Sequence, residues 1–275
     1  MTTKIRTHRS KPRRSVVAAA AVAVLGGASP ATVDVVGAQE IAVPDVATTR
    51  TADVARLAAS GTSATVRPEK PAWVVGDVPD TVWILVEMSV AHEDDDMSKA
   101  MLVEAERLAR DAVVGNESNV GRRFALAAVL GMRTDVEGGR TKVGVASDLH
   151  AELGVVLKLD PQHTRARYMM GRLHAGVRRM GGVTRWLATN LLGGATLKQA
   201  SWEEAERHLA FAEEHAPEVP DHHMQLARLY ADTGRLDLAQ LETRHVLAMS
   251  ARSPLERAAR AEAEELASEL GISGW

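Results

Sequence analysis

The chain has 275 residues, 45% hydrophobic, 25% charged and only 3% aromatic, with no cysteine. A composition rich in Ala, Leu, Val, Glu and Arg suits helices packed through small and aliphatic side chains and fits poorly with a β-sandwich. The missing cysteine rules out disulfides, thiol catalysis, Cys-based metal sites and a bacterial lipoprotein anchor. The net charge of −3 is unevenly spread: residues 1–38 carry +5 and the remaining 237 carry −8. An acidic body argues against nucleic-acid binding, which needs a basic face.

The basic head reads as an address. Residues 1–14 hold Lys4, Arg6, Arg9, Lys11, Arg13 and Arg14, and residues 15–25 are apolar and uncharged. This is the n-region and h-region pattern of a secretory signal peptide, and the apolar run is too short for a membrane span of about 20 residues. Small-x-small cleavage sites end at Ala31 and Ala38, and Ala38 is preferred. Arg13-Arg14 before Ser15-Val16-Val17 resembles a twin-arginine export signal. The alternatives are an uncleaved anchor and a disordered basic tail before a short core helix. Residues 39–77 have little periodicity and hold Pro44, Pro68 and Pro71; they read as a flexible linker, with one short helix over 46–59.

From residue 78 the texture becomes helical, with apolar residues at i, i+3, i+4 and i+7 and breaks at Gly, Pro, Asn and Asp. Helices are predicted near 79–92, 97–114, 119–133, 142–158, 163–179, 184–192, 201–215, 220–233, 235–249 and 254–270. No long segment alternates with period two, so no sheet is expected. Asp80, Asp96 or Ser98, and Asp221 are candidate caps. Ser201 with Glu204 forms a capping box, and Gly234 supplies a left-handed turn. Short loops imply antiparallel hairpins.

The hairpins repeat toward the C-terminus. Ala205, Leu209, Ala212 and Pro217 recur 34 residues later as Ala239, Thr243, Val246 and Ala251. Leu226, Ala227 and Tyr230 occupy the large, small and aromatic positions of a tetratricopeptide (TPR) first helix. Small residues at a crossing let two helices approach closely. An earlier unit places Met170 and Gly171 at the large and small positions, and a segment from about Arg178 to Lys198 interrupts it. Tyr168-Met-Met-Gly-Arg-Leu-His174, Trp186 through Gly194, Ala200-Ser-Trp-Glu-Glu-Ala205 and Asp221 through Tyr230 together resemble the regulator of microtubule dynamics family and its bacterial relatives. The resemblance covers residues 97–270 and is specific over 168–246. It departs at Ala195-Thr196-Leu197, where a proline is expected, and at Leu173, where an aromatic often follows Gly-Arg. It implies an all-α, TPR-like α-solenoid of antiparallel hairpins with an inserted short helix. Binding to microtubules does not follow from it.

Several polar groupings invite a chemical reading. His92-Glu93-Asp94-Asp95-Asp96 lacks the alternation and Gly turn of a calcium loop and reads as a capped turn. His208 and His215 are seven apart, whereas two ligands on one helix usually sit at i and i+4; adjacent His222 and His223 point different ways. No metal site is expected. Glu203-Glu204 and Glu213-Glu214 are expected in solvent. Gly181-Gly182 and Gly193-Gly194 are too sparse to cradle phosphate. With no nucleophile, phosphate or dinucleotide motif, neither an enzyme nor a cofactor is expected. Arg165, Arg167, Arg172, Arg178, Arg179 and Arg185 make the centre locally basic, and Arg165, Arg172 and Arg179 share a helix face. Such a row suits an acidic peptide or a C-terminal carboxylate.

The resulting expectation has three parts: a signal peptide or anchor at 1–38, a linker at 39–77, and a TPR-like domain at 78–271. The domain is expected to be a non-catalytic scaffold that binds an unidentified protein or peptide in the periplasm or at the envelope, touching membrane only through an uncleaved N-terminus. Concave-face candidates are Arg167, Arg172, His174, His223 and Arg228. The structural repeat positions are Gly171, Ala205, Ala212, Pro217, Leu226, Ala227, Tyr230 and Ala239. The alternatives are a self-assembling structural protein, a cytosolic or membrane-anchored adaptor of the microtubule-dynamics-regulator type, and an enzyme with an unrecognised site.

Overall fold

The computed structural model describes residues 78–92, 94–252 and 254–273. The signal, linker and 46–59 helix expectations lie outside these residues. The described residues form α-helices and one 3-10 turn, with no strand: α1 (Asp80–Ala91), α2 (Asp95–Val113), α3 (Val120–Val136), α4 (Gly139–Leu159), α5 (Thr164–Arg179), α6 (Gly182–Asn190), a 3-10 turn (Ala195–Gln199), α7 (Trp202–His215), α8 (Pro220–Asp232), α9 (Leu236–Ala248) and α10 (Pro254–Glu269). Every predicted helix from residue 79 onward has a counterpart within a few residues. No described helix is long and apolar enough to cross a membrane.

The packing is that of stacked hairpins. Helix α1 pairs with α2, α3 with α4, α5 with α7 and α8 with α9; α10 closes the stack against α8 and α9. One apolar core runs from α1 into α8 and contains fully buried Leu85, Phe124, Leu130, Leu153, Tyr168 and Leu209. Burying each such aliphatic or phenyl side chain is worth about 1.5–3 kcal/mol. A second cluster under α10 joins Met224, Ala227, Val246, Ala263 and Ala267.

The α5–α7 crossing depends on Gly171. A Cβ there would stand 2.7 Å from Leu209 Cγ and 3.0 Å from the Ala205 carbonyl oxygen. The inserted segment is α6 plus the 3-10 turn. Leu197 of the turn packs with Val143, Ala146, Val177 and Ala188, which seats the insertion on α4. Gly194 permits this, because its Cβ would stand 2.7 Å from the Ala188 carbonyl oxygen.

The caps differ in detail from the sequence expectation. Asp94, not Asp96 or Ser98, caps α2, accepting from the Asp96 and Met97 amides at 2.9 Å each. Asp80 is the first residue of α1, after Pro79 at the cap position, and accepts from Trp83 Nε1 at 3.4 Å. Ser201 caps α7 by accepting from Glu204 N, but the Glu204 carboxylate turns to Arg207 rather than back to the cap. Asp221 lies inside α8 behind Pro220 and meets Tyr168 instead of capping. Gly234 takes the left-handed conformation, φ 75°, between α8 and α9.

Candidate functional site

The first helices of the hairpins line up a row of charge. Asp135 ends α3; Arg172 and Arg179 lie on α5; Asp221, Arg228 and Asp232 lie on α8; Glu262 lies on α10. The buried Tyr168 hydroxyl donates to Asp221. Arg179 Nε donates to Asp232 at 2.7 Å, and Arg228 is ion-paired with Glu262. Between α5, α8 and α10 opens a cavity of about 320 Å³ lined by Arg179, Arg228, Ala231, Asp232, Glu262, Glu265, Leu266 and Glu269.

Arg172 is the uncommitted member of the row. Its guanidinium carbon sits 5.7 Å from the centre of the Tyr168 ring. Among the described residues it makes no hydrogen bond or ion pair. Its pKa is raised by Tyr168, against burial, with help from Asp221, Asp135 and Glu262. Burial raises the Asp135 pKa against the pull of Arg172 and Lys142. Burial also raises the Glu262 pKa against Arg228.

The five candidate side chains divide between two environments. Arg228 lines this groove, and Arg172 lies about two helical turns before its lining residue Arg179 on α5. Arg167 folds back on Pro161, donating to its carbonyl oxygen at 2.9 and 3.1 Å, and stacks 4.8 Å over Phe211. His174 is 5% exposed, between His150 and His208, and its Nδ1 accepts from Ser201 N at 3.4 Å. His223 is 4% exposed in the α8–α9 crossing. The latter three residues therefore serve helix packing, not the groove surface. Arg165 is half-buried in the first turn of α5. The repeat positions Ala205, Ala212, Ala227 and Ala239 are fully buried; Leu226 is 2% exposed and Tyr230 half-buried, while Pro217 is exposed.

A second polar cluster escaped the sequence reading. His223 Nδ1 lies 2.7 Å from Glu242 Oε2 and 3.9 Å from Glu213 Oε1, and His245 Nδ1 lies 3.4 Å from the same Glu242 oxygen. Sequence reasoning paired His223 with His222, His208 and His215. The missed signal was Glu242-Thr-Arg-His245, whose i, i+3 spacing puts two donors on one helix face. Glu213 was expected in solvent and is half-buried beside this cluster.

The contact recurs along the repeat. Arg167 and His223 are 56 residues apart, as are Gly171 and Ala227; His208 and Phe211 precede Glu242 and His245 by 34, as Ala205 precedes Ala239. In both units the same three positions touch: Arg167 meets His208 at 3.5 Å and Phe211, while His223 meets Glu242 and His245. Arg172 and Arg228 are equivalent in the same register.

The family model described as Regulator of microtubule dynamics protein 1-3 matches residues 81–271. The chain belongs to this family. The match spans every described helix, so the groove and both crossings are parts of the regulator of microtubule dynamics domain. Among solved structures, the crystal structure of a thermophilic TPR protein in Thermus thermophilus is similar at 15% identity, covering 79% of this chain and 98% of that one, with a TM-score of 0.43. None of the curated proteins matches.

Proposed function

We propose that this regulator of microtubule dynamics family member is a non-catalytic scaffold whose concave groove takes an extended protein segment at the cell envelope. Arg172 carries the proposal. A guanidinium surrounded by carboxylates yet bonded to none of them is a cation held ready for an incoming carboxylate, the bidentate partner such forks suit. Further along, Glu265 and Glu269 line the cavity without ion pairs among the described residues. The matching segment carries an acidic side chain or terminal carboxylate for Arg172 and a basic residue for α10. The signal-like head of the chain is what directs this reading to the periplasm or envelope.

The test places a photo-crosslinking amino acid at Ala231 in the groove, or at exposed Arg207 on α7, in cells. Discrete crosslinked bands are expected from the groove position only, and Arg172→Glu should abolish them. Bands unchanged by Arg172→Glu would overturn the groove reading. Recovery of a full-length species in the cytosol would overturn the envelope assignment. A second reading, self-association, is favoured by exposed Val183, Trp186 and Leu191 on and just after α6, at 76%, 56% and 57%. It predicts a concentration-dependent mass that Trp186→Ser abolishes.

A further inference from the structure

The α8–α9 crossing collects donors of metal-ligand type. One nitrogen each from His223 and His245 and one Glu242 oxygen all fall within 4.8 Å of one another. Ligands around a tetrahedral Zn(II), each about 2.0–2.1 Å from the ion, stand roughly 3.3 Å apart. The Glu242 oxygen is 2.7 Å from one nitrogen and 3.4 Å from the other, so a small opening admits an ion. Glu213 Oε1, 3.9 Å from His223 Nδ1, stands at the edge of the same cluster.

The proton positions on His223 sharpen the case. Its Nε2 lies 2.9 Å from the Pro217 carbonyl oxygen, which can only accept, so Nε2 carries a hydrogen. In the neutral ring Nδ1 is then a lone pair, and it faces a carboxylate oxygen at 2.7 Å. Two acceptors do not hold that contact. A positive charge must stand between them, either a second proton or a metal ion. The Pro217 carbonyl is the kind of outer partner that fixes the tautomer and direction of a ligating imidazole. His245 is half-exposed and gives the site a route to solvent.

The preceding repeat acts as an internal control. There the same positions hold Arg167, His208 and Phe211, a set that already carries its own cation and offers a phenyl ring in place of a third donor. The fold brings the positions together in both units, and only the second fills them with ligands.

We propose that His223, Glu242 and His245 bind one Zn(II), with Glu213 or water completing a tetrahedron. Two imidazoles and a carboxylate suit that ion in a chain without cysteine. The ion ties α8 to α9, and to α7 where Glu213 ligates. The site stands apart from the groove, and its test is independent of any partner.

The test titrates untagged full-length protein with Co(II) and then Zn(II), following visible absorption, competition with a chromogenic chelator and thermal melting. One equivalent should bind with tetrahedral Co(II) bands that Zn(II) bleaches, and zinc should raise the wild-type melting midpoint. His245→Ala and Glu242→Gln should each weaken binding at least ~10-fold and remove the zinc-induced shift. His245→Ala alters an exposed ring, so its metal-free melting should match wild type and separate ligand loss from misfolding. No stoichiometric binding by wild type, or binding that His245→Ala leaves unchanged, would overturn the proposal and leave His223–Glu242 as a protonated ion pair.

Discussion

The α5–α7 and α8–α9 hairpins place polar residues at the same repeat positions and shift the pKa values of their histidines in opposite directions. His174 and His208 are each 5% exposed, and His223 is 4% exposed, so burial does not separate them. Burial lowers the pKa of His174 and of His208 to about 4. His150 and Arg207 add to the effect on His174, and Arg207, Arg167 and His174 add to it on His208. Burial opposes charge on His223 as well, but the Glu242 carboxylate, the Pro217 carbonyl and Glu213 outweigh it and raise its pKa. One carboxylate at hydrogen-bond distance decides the outcome. Neighbouring cations favour the neutral ring of a buried histidine, and an adjacent acid favours the charged one.

The largest expected effect tests the neutral pair. Both folded pKa values lie below the ordinary 6.5, so the unfolded chain binds more protons between pH 6.5 and 4. Their stabilisation is complete above pH 6.5 and is lost as the pH falls toward 4, by about 3 kcal/mol for a ring shifted this far. Urea unfolding at pH 7 and pH 4.5 measures the loss, and His208→Gln should shrink the difference between the two. An unchanged difference would remove the first half of the contrast.

Next in size is the crossing itself. Gly171→Val inserts a branched side chain where even a Cβ meets Leu209 and the Ala205 carbonyl, and backbone cannot step aside as a flexible side chain can. The cost should be roughly 2–3 kcal/mol. Ala227 already carries a Cβ at the equivalent position of the α8–α9 hairpin. Ala227→Gly there should cost only the ~1 kcal/mol of helix propensity plus a lost methyl. Denaturant midpoints of the two variants compare the closeness of the two crossings.

Most of this architecture was legible in the sequence because the helical period and the small residues at crossings are local signals. Gly171, Ala205 and Ala239 announced close approach by themselves. The 3-10 turn at 195–199 was not legible, since a single apolar residue, Leu197, seats it against α4. The groove was half legible. Seven-residue spacing aligned Arg172 with Arg179, but the acids that surround Arg172 come from α3, α8 and α10, which meet only in the folded chain. His174 and His223 look like surface groups in a polar stretch and are buried because their rings fill space between hairpins. The His223–Glu242–His245 cluster needed the 34-residue register applied across two helices at once.

The raised half of the contrast predicts a smaller effect of opposite pH dependence. A raised folded pKa means His223 stabilises fully below pH 6.5 and loses that contribution as the pH climbs through the folded value. In protein held metal-free with a chelator, His223→Gln should therefore cost more at pH 6 than at pH 8.5, by roughly 1 kcal/mol. An equal cost at both pH values would mean that Glu242 does not set the ring's charge.

The smallest change in stability carries the sharpest functional comparison. Arg172 and Arg228 occupy equivalent repeat positions, yet only Arg228 has an ion-pair partner, Glu262. That pair is partly exposed, with Arg228 at 46%, so breaking it should shift unfolding by under about 1 kcal/mol. Glu262→Gln keeps the shape of the side chain and removes its charge. It makes Arg228 resemble Arg172, and it removes a carboxylate that competes for Arg172 as well. If the groove works by offering a guanidinium to an incoming carboxylate, this variant should bind its segment more tightly, and crosslinking from Ala231 should rise while Arg172→Glu still abolishes it. Weaker crosslinking in Glu262→Gln would instead make Glu262 the contact, and the incoming group basic.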